Sequence, residues 1–409
     1  MSNSTANPVN VKARIAELDV LRGFALFGVI LGNFSEFYLF GIASTADQMA
    51  TSSYAAWDPY VAFVITLFVS GKANTLFAFL FGLGFYLQMD RLSARGDNFN
   101  QIYLRRLTVL LGFSLINIFF ISIWEILLVY ALTGYILFAM RDVSNRVLVG
   151  LGIPLSLFGM LAIGGIFQLF GVRESLDSDW YFTDAAIIER QALAADWGYK
   201  NLIAHFYGFT MRDWILGGSM VGFIFYALGR FMIGMWVGRK GWLLNPDQWL
   251  DGFKRWLIIV LPLGLGLDIV AYFMPEFSGS DLIQKALQVV ATPLTAAGYI
   301  CLIVLGLRSR FWVRILPVFA PVGRMALTNY VLGGIMLMLY YYGPFGLYQA
   351  GKVGLSKPML FVVFSYAFLV LYSHIWLRYF VYGPLEWGWR ALTYGKRPSF
   401  RRMSNRKTN

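Results

Sequence analysis

R-I-A-E-L-D-V-L-R-G-F-A-L-F-G-V-I-L-G-N, residues 14–33, is the stretch on which the reading of the chain turns. A charged lead-in (Arg14, Asp19, Arg22) runs into an apolar helix that carries an amide, Asn33. Arg22 and Asn33 are eleven residues apart, close to three helical turns, so they share one face about 16 Å apart along the axis. If the helix crosses a bilayer, a guanidinium stands at one surface and an amide deeper in. Such a stripe belongs against protein or water and not lipid.

The rest of the chain extends that reading. Of 409 residues, 58% are apolar, 18% aromatic and only 14% charged. Many apolar runs approach the roughly 20 residues that a spanning helix needs. The composition therefore points to an integral membrane protein with an all-α, polytopic helix bundle. The net charge of +12 sits between the apolar runs, as the positive-inside pattern requires, and not in a patch built for nucleic acid. Cys301 is the one cysteine, and His205 and His374 are the only histidines. Neither a disulfide nor a thiol or imidazole metal site is expected, and no tightly bound cofactor. The first apolar run is longer than a signal-peptide core and lacks an A-x-A site, so it reads as a retained span.

Residues 1–13 read as a loose tail and 22–42 as the first span. Residues 58–71 are apolar but too short to cross, which makes them a re-entrant or interfacial piece. Further spans are expected near 74–90, 107–121, 125–140, 147–170, 215–237, 256–274, 284–307, 325–342 and 358–377. A tight turn at Ser122–Trp124 joins two of them, and 241–255 reads as an amphipathic linker with Trp242 and Trp249 at the interface. The count is about ten spans with both termini cytoplasmic, and the basic clusters alternate in step with it. Were 58–71 a full span, every later cluster would face the wrong way. The organisation is an N-terminal half (1–172), an extracytoplasmic segment (173–213), a C-terminal half (214–395) and a basic tail (396–409). In 173–213 seven acids outnumber four bases, and Ala185–Ala195 reads as a helix.

Ionic and amide side chains at membrane depth are costly and mark functional candidates. Here they are Asn33, Asp58, Lys72, Asn74 and Asn117, then Glu125, Arg230, Asp268, Asn329 and His374. Each also has a plain structural role open to it. An Asn in a span often only hydrogen-bonds a neighbouring helix, and Lys72, Arg230 and Asp268 lie near span ends where ions reach water. Glu125 follows Asn117 by eight residues across a helical hairpin, so both can face one cavity with Asn33. A desolvated carboxylate suits general acid or base work; the alternatives are exposure at the mouth or pairing with Lys72. No phosphate-cradling glycine loop, H-E-x-x-H or G-x-S-x-G occurs, and G-L-G-F (82–85) and G-L-G-L (264–267) read as close helix packing.

Four blocks resemble the bacterial YeiB-like membrane proteins. They are L-D-V-L-R-G-F-A-L-F-G-V-I-L-G-N (18–33), N-T-L-F-A-F-L-F-G-L-G-F (74–85), V-G-R-M-A-L-T-N-Y (322–330) and W-L-R-Y-F-V-Y-G-P-L-E-W-G-W-R (376–390). The first half of that family is similar to heparan-α-glucosaminide N-acetyltransferase and related transmembrane acyltransferases. Those enzymes pass an acyl group from a cytoplasmic thioester to an acceptor across the membrane. The resemblance implies that Arg14, Asp19, Arg22, Arg105 and Arg106 hold the phosphates of an acyl-CoA-type donor. It implies that Asn33, Asn117 and Glu125 line the transfer point. Arg324 and Asn329 lie in the third block. The departures are specific: where the family shows G-x-x-H the chain has Asn117, and where it shows G-D-I-L the chain has W-E-I-L, with Glu125 for the aspartate. Either Glu125 serves as the base, His205 reaches in from the outer segment, or catalysis is lost.

The leading expectation is thus transmembrane acyl transfer to an acceptor at the membrane or its outer face, in a bacterial inner membrane. A small-molecule transporter or permease, and a non-catalytic lipid- or pigment-binding subunit, stand as alternatives. The partners expected are the lipid bilayer, a small-molecule, lipid or saccharide acceptor, and further copies of the chain in a homo-oligomer. Nucleic acid is not among them.

Overall fold

The computed structural model describes residues 16–39, 44–121, 125–171, 183–195, 211, 214–275, 280–343 and 345–402. Arg14 and the N-terminal tail, the Ser122–Trp124 turn, His205 with most of 173–213, and the end of the basic tail lie outside them. The described residues are overwhelmingly helical, and the strand pairing among them is one isolated bridge, Phe380 with Arg401.

Helix α1 (Ala16–Leu39) is the axis of the bundle. Glu17 and Asp19 in its first turn suit the positive end of the helix dipole. Its apolar window is 67% buried, so this span faces protein nearly all round. Next come α2 (Asp58–Phe68) and α3 (Lys72–Ala94), with a three-residue break between them. Gly71 holds the break with φ +71, a conformation that glycine adopts without strain. The carbonyls freed there find other donors: the Tyr299 hydroxyl donates to Phe68 O at 2.8 Å, and the Lys72 ammonium donates to Thr66 O. By length and hydropathy, 55–94 forms one 40-residue apolar unit.

Helices α4 (Phe99–Phe120) and α5 (Ile126–Ala139) make a hairpin, followed by α6 (Asn145–Leu169) and the short α7 (Asp184–Ala195). In the C-terminal half, α8 (Ser219–Lys240) packs along α6 and α3. Helices α9 (Leu250–Tyr272) and α10 (Ser280–Gly306) pair with each other, and α10 packs on α3. Helix α9 starts earlier than the sequence predicts, taking in 250–255 with Gly252 inside it, and Asp251 pairs with Lys254 along its surface. The apolar windows of α6 and α9 are only 22% buried, which makes them the lipid-facing rim.

The last third folds back onto α1. Helix α11 (Ala320–Arg324) meets α12 (Ala326–Tyr341) at an 84° bend. Helix α13 (Ser356–Tyr379) is long and apolar, and α14 (Pro384–Tyr394) is a short amphipathic helix lying on α4. Among the described residues, eight helices are long and apolar enough to cross a bilayer, nine if the bent pair counts as one span, and α5 is a shorter apolar helix. An integral membrane helix bundle follows directly.

Glycines set the closest approaches. A Cβ on Gly82 would meet the main chain of Phe231, and one on Gly234 the main chain of Phe79, so α3 and α8 touch backbone to backbone. Gly23 against Phe319 and Gly323 against Asp19 do the same for α1 and α11. Gly82→Ala is expected to cost about 1–3 kcal/mol, because two main chains must separate. Thermal unfolding in detergent checks this, with Gly112→Ala, which has open space around it, as the unaffected control.

The three ions expected near span ends are instead inside. Lys72 pairs with Asp268 at 2.9 Å, with side chains 2% and 1% exposed. The reason is the break, which starts α3 within the bundle and leaves Lys72 no route to water. Buried Arg230 donates to Thr75 Oγ1, Ser156 O and Tyr226 O at 2.9–3.0 Å and lies over the Tyr226 ring. Asp58 is also structural in placement: its carboxylate accepts the N–H and hydroxyl of Ser356, at 2.8 and 2.6 Å, and caps α13.

Candidate functional site

One face of α3 defines the site. Asn74, Phe77, Phe81, Gly84, Gln88 and Arg91 recur every three or four residues, ending at Arg95 just past the helix. All line a single cavity of about 300 Å3. From Asn74 to Arg95 that face runs roughly 30 Å, comparable to the hydrocarbon core of a bilayer. The stripe changes character along its length, from an amide through aromatic rings to two arginines.

The opposite walls follow the same gradient. At the basic end stand Arg22 with Asp19 from α1, Arg106 from α4, Arg324 from α11 and Arg390 from α14. With Arg91 and Arg95, six arginines meet at that end, against two carboxylates, Asp19 and Glu386. Asp19 Oδ1 lies 3.3 Å from Arg22 Nη1, one turn away on the same helix. Gly84 faces the Arg22 guanidinium, which a Cβ there would meet at an ordinary contact distance of 3.7 Å. Arg106 stacks on Trp389 at 3.9 Å, and the Trp389 indole N–H donates to Arg106 O at 2.9 Å. Cation–ring stacking of this kind holds a guanidinium in place without cancelling its charge.

The far end is apolar and aromatic, with Val29, Leu127, Tyr130 and Tyr330 around Phe77. The Tyr130 hydroxyl donates to Asn74 O at 3.2 Å. Tyr330 hydrogen-bonds Glu125, which is wholly buried directly behind it. Glu125 also caps α5, accepting the Leu127 N–H at 2.6 Å, and Asn117 donates its amide N–H to the same carboxylate. The order from the cavity inward is therefore Tyr330, Glu125, Asn117.

Helix α14 roofs the basic end through one carboxylate. Glu386 accepts the N–H groups of Leu327 and Thr328 at 2.7 and 3.0 Å and the Thr328 hydroxyl at 2.6 Å. Those donors are the exposed N–H groups that begin α12 immediately after the bend. Burial pushes the Glu386 carboxyl above the usual carboxylate range, against the pull of its hydrogen bonds from Thr328 and Leu327.

The residues singled out from sequence divide cleanly. Asp19, Arg22, Arg106 and Arg324 line the cavity. Asn117 and Glu125 are joined to each other and sit one side chain behind its wall. Asn33 is half-buried on α1, one turn past Val29, and is not a lining residue. Arg105 is exposed, next to Gly395. Asn329 donates to Val322 O and Ser373 Oγ, at 3.2 and 2.9 Å, and ties the bend to α13. His374 bonds its own helix at Val370 O. Sequence reasoning missed Arg91, Arg95, Arg390, Trp389, Tyr130, Tyr330 and Glu386. The 3–4 spacing from Asn74 to Arg95 was the available signal for the first two.

All four blocks of family resemblance contribute walls: Arg22 from the first, Asn74 to Phe85 from the second, Arg324 and Tyr330 from the third, Glu386 to Arg390 from the fourth. Comparison with known proteins agrees. Residues 237–396 match the family described as "Protein of unknown function (DUF418)". The chain is 28% identical to the uncharacterized protein YxaH of Bacillus subtilis (strain 168), covering 96% of this chain and 97% of that one. It is 30% identical to the uncharacterized protein YeiB of Escherichia coli (strain K12), covering 93% and 96%.

Proposed function

The chain belongs to the family of YeiB and YxaH, and from that premise we propose that it moves an acyl group from a cytoplasmic thioester to an acceptor at the membrane or its outer face. One observation carries the reading: six arginines converge on one end of a bilayer-length cavity whose other end is aromatic. That is the shape of a ligand with several phosphates and an apolar reactive arm. Arginine forks match phosphate oxygens in pairs, which a lysine cannot do. The positive-inside rule supports a cytoplasmic side for the arginine end, the side on which acyl-CoA-type donors are found.

In this reading Asp19 orients Arg22, and Arg22, Arg91 and Arg106 grip the donor's phosphates. Arg105, exposed beside Arg106, meets the donor only from outside the cavity. The thioester carbonyl lies near Tyr130 and Tyr330. An acceptor hydroxyl or amine attacks it, the C–S bond breaks, and the proton passes through the Tyr330 phenol to Glu125 and on to the departing thiolate. Asn117 keeps the carboxylate in place. Glu125→Ala is expected to cost about 0.5–2 kcal/mol through the lost helix cap. Glu125→Gln should retain the fold and lose transfer. The test of the function is single-turnover transfer in proteoliposomes loaded with radiolabelled acyl-CoA. Appearance of a labelled acceptor supports it, and persistent thioester with every acceptor class sinks it.

A second reading has its own observation. Broken spans and buried ion pairs also mark transport pathways, and the α2–α3 break places Lys72 against Asp268. Substrate uptake into liposomes without chemical change would favour it.

A further inference from the structure

We propose that the C-terminal half completes the phosphate end of the cavity, with Trp389 and Arg390 as ligand contacts and Glu386 as the residue that positions them. This rests on the donor reading above and assigns a role to the region matched by the family of unknown function.

The arginines of the N-terminal half come from α1, α3 and α4 and form a trough with one side open. The open side is closed by α11, the start of α12 and α14, all from the C-terminal half. Helix α14 is amphipathic and only 11 residues long, too short to hold itself in place by helix formation alone. Two contacts fix it. Trp389 is clamped on Arg106 by ring stacking and by its indole hydrogen bond. Glu386, one turn earlier, is bound by three donors at the start of α12, and the Leu385 N–H adds a bond to Thr328 Oγ1 at 3.2 Å.

Position along the helix makes the coupling direct. Glu386 and Arg390 are four residues apart, on one face, so both line the cavity. The same bonds hold the beginning of α12, whose Ala326, Leu327 and Tyr330 line the cavity too. Losing the Glu386 carboxylate would free α14 at its N-terminal end and loosen the wall that follows the bend. The ligand class is an anion with two or more phosphates, since α1, α3, α4, α11 and α14 all bring guanidinium groups to one place.

The experiment uses the full-length protein in detergent and titrates inorganic pyrophosphate by calorimetry. Wild type is expected to bind. Arg390→Ala and Glu386→Ala should each raise Kd about tenfold, the scale of one lost charge-assisted contact. Together they should raise it scarcely more than either alone, because Glu386 acts through Arg390. Trp389→Ala should also weaken binding, and Glu386→Gln, which keeps an oxygen acceptor, should restore most of the affinity. If Glu386→Ala does not fold, the Arg390, Trp389 and Glu386→Gln variants decide. Unchanged Kd in the α14 variants, with binding lost in Arg22→Ala, would overturn the inference and leave the donor reading standing. Multiplying effects of Glu386→Ala and Arg390→Ala would overturn the positioning role. Absence of binding in wild type would remove the donor reading and this inference together.

Discussion

Asp268→Asn is expected to destabilise the protein by about 3–5 kcal/mol, among the largest effects of any single substitution outside the cavity. The carboxylate is 2.9 Å from the Lys72 ammonium, and both side chains are shut off from solvent. Removing the acid leaves a cation inside an apolar bundle, held by its hydrogen bond to the Thr66 carbonyl. Lys72 cannot move to the surface, because it begins α3 immediately after the break. Replacing both residues, as Lys72→Met with Asp268→Leu, should recover most of the loss, since an apolar pair of similar volume removes the desolvation cost. Equilibrium unfolding in mixed micelles measures the three variants. A loss under about 1 kcal/mol for Asp268→Asn would show that water reaches the pair.

Arg22→Ala is expected to lower donor affinity by about 10- to 100-fold while leaving insertion and folding intact. Arg22 faces Gly84 of α3 and lies one turn from Asp19. Arg22→Lys should recover only part of the affinity, because an ammonium cannot make the paired contacts of a guanidinium. Equal affinities for wild type and Arg22→Ala would place the phosphates elsewhere.

Much of the fold was legible in the sequence because the bilayer limits the choices. Apolar runs of sufficient length had to be helices. The centrality of 14–33 was legible in its mixture of ions and apolar residues, and α1 is indeed the most buried apolar window. One feature was not legible. Lys72 and Asp268 are distant in sequence, and each alone looks like an ion at a span end. Only the break that buries Lys72 makes them a pair, and it depends on Gly71 adopting a positive φ.

The candidate site was legible in outline through its blocks, and less so in its arginines. Arg91 and Arg95 carry the same sequence signal whether they mark a cytoplasmic loop or line a cavity. Direction on the helix decides between these, and the spacing back to Asn74 was needed to see it. Glu125 was legible as a buried carboxylate, yet its distance from the cavity was not. Its place behind Tyr330 comes from its capping of α5, a local bond that periodicity does not report. Glu386 was hidden for a similar reason: its partners, Leu327 and Thr328, are main-chain and hydroxyl donors in a different block.

Equilibrium binding of acyl-CoA to the purified wild-type protein tests the central claim most directly. The arginine-lined cavity predicts saturable one-to-one binding that inorganic pyrophosphate displaces and Arg22→Ala weakens by about 10- to 100-fold. Binding that does not saturate, or that pyrophosphate leaves untouched, would contradict it.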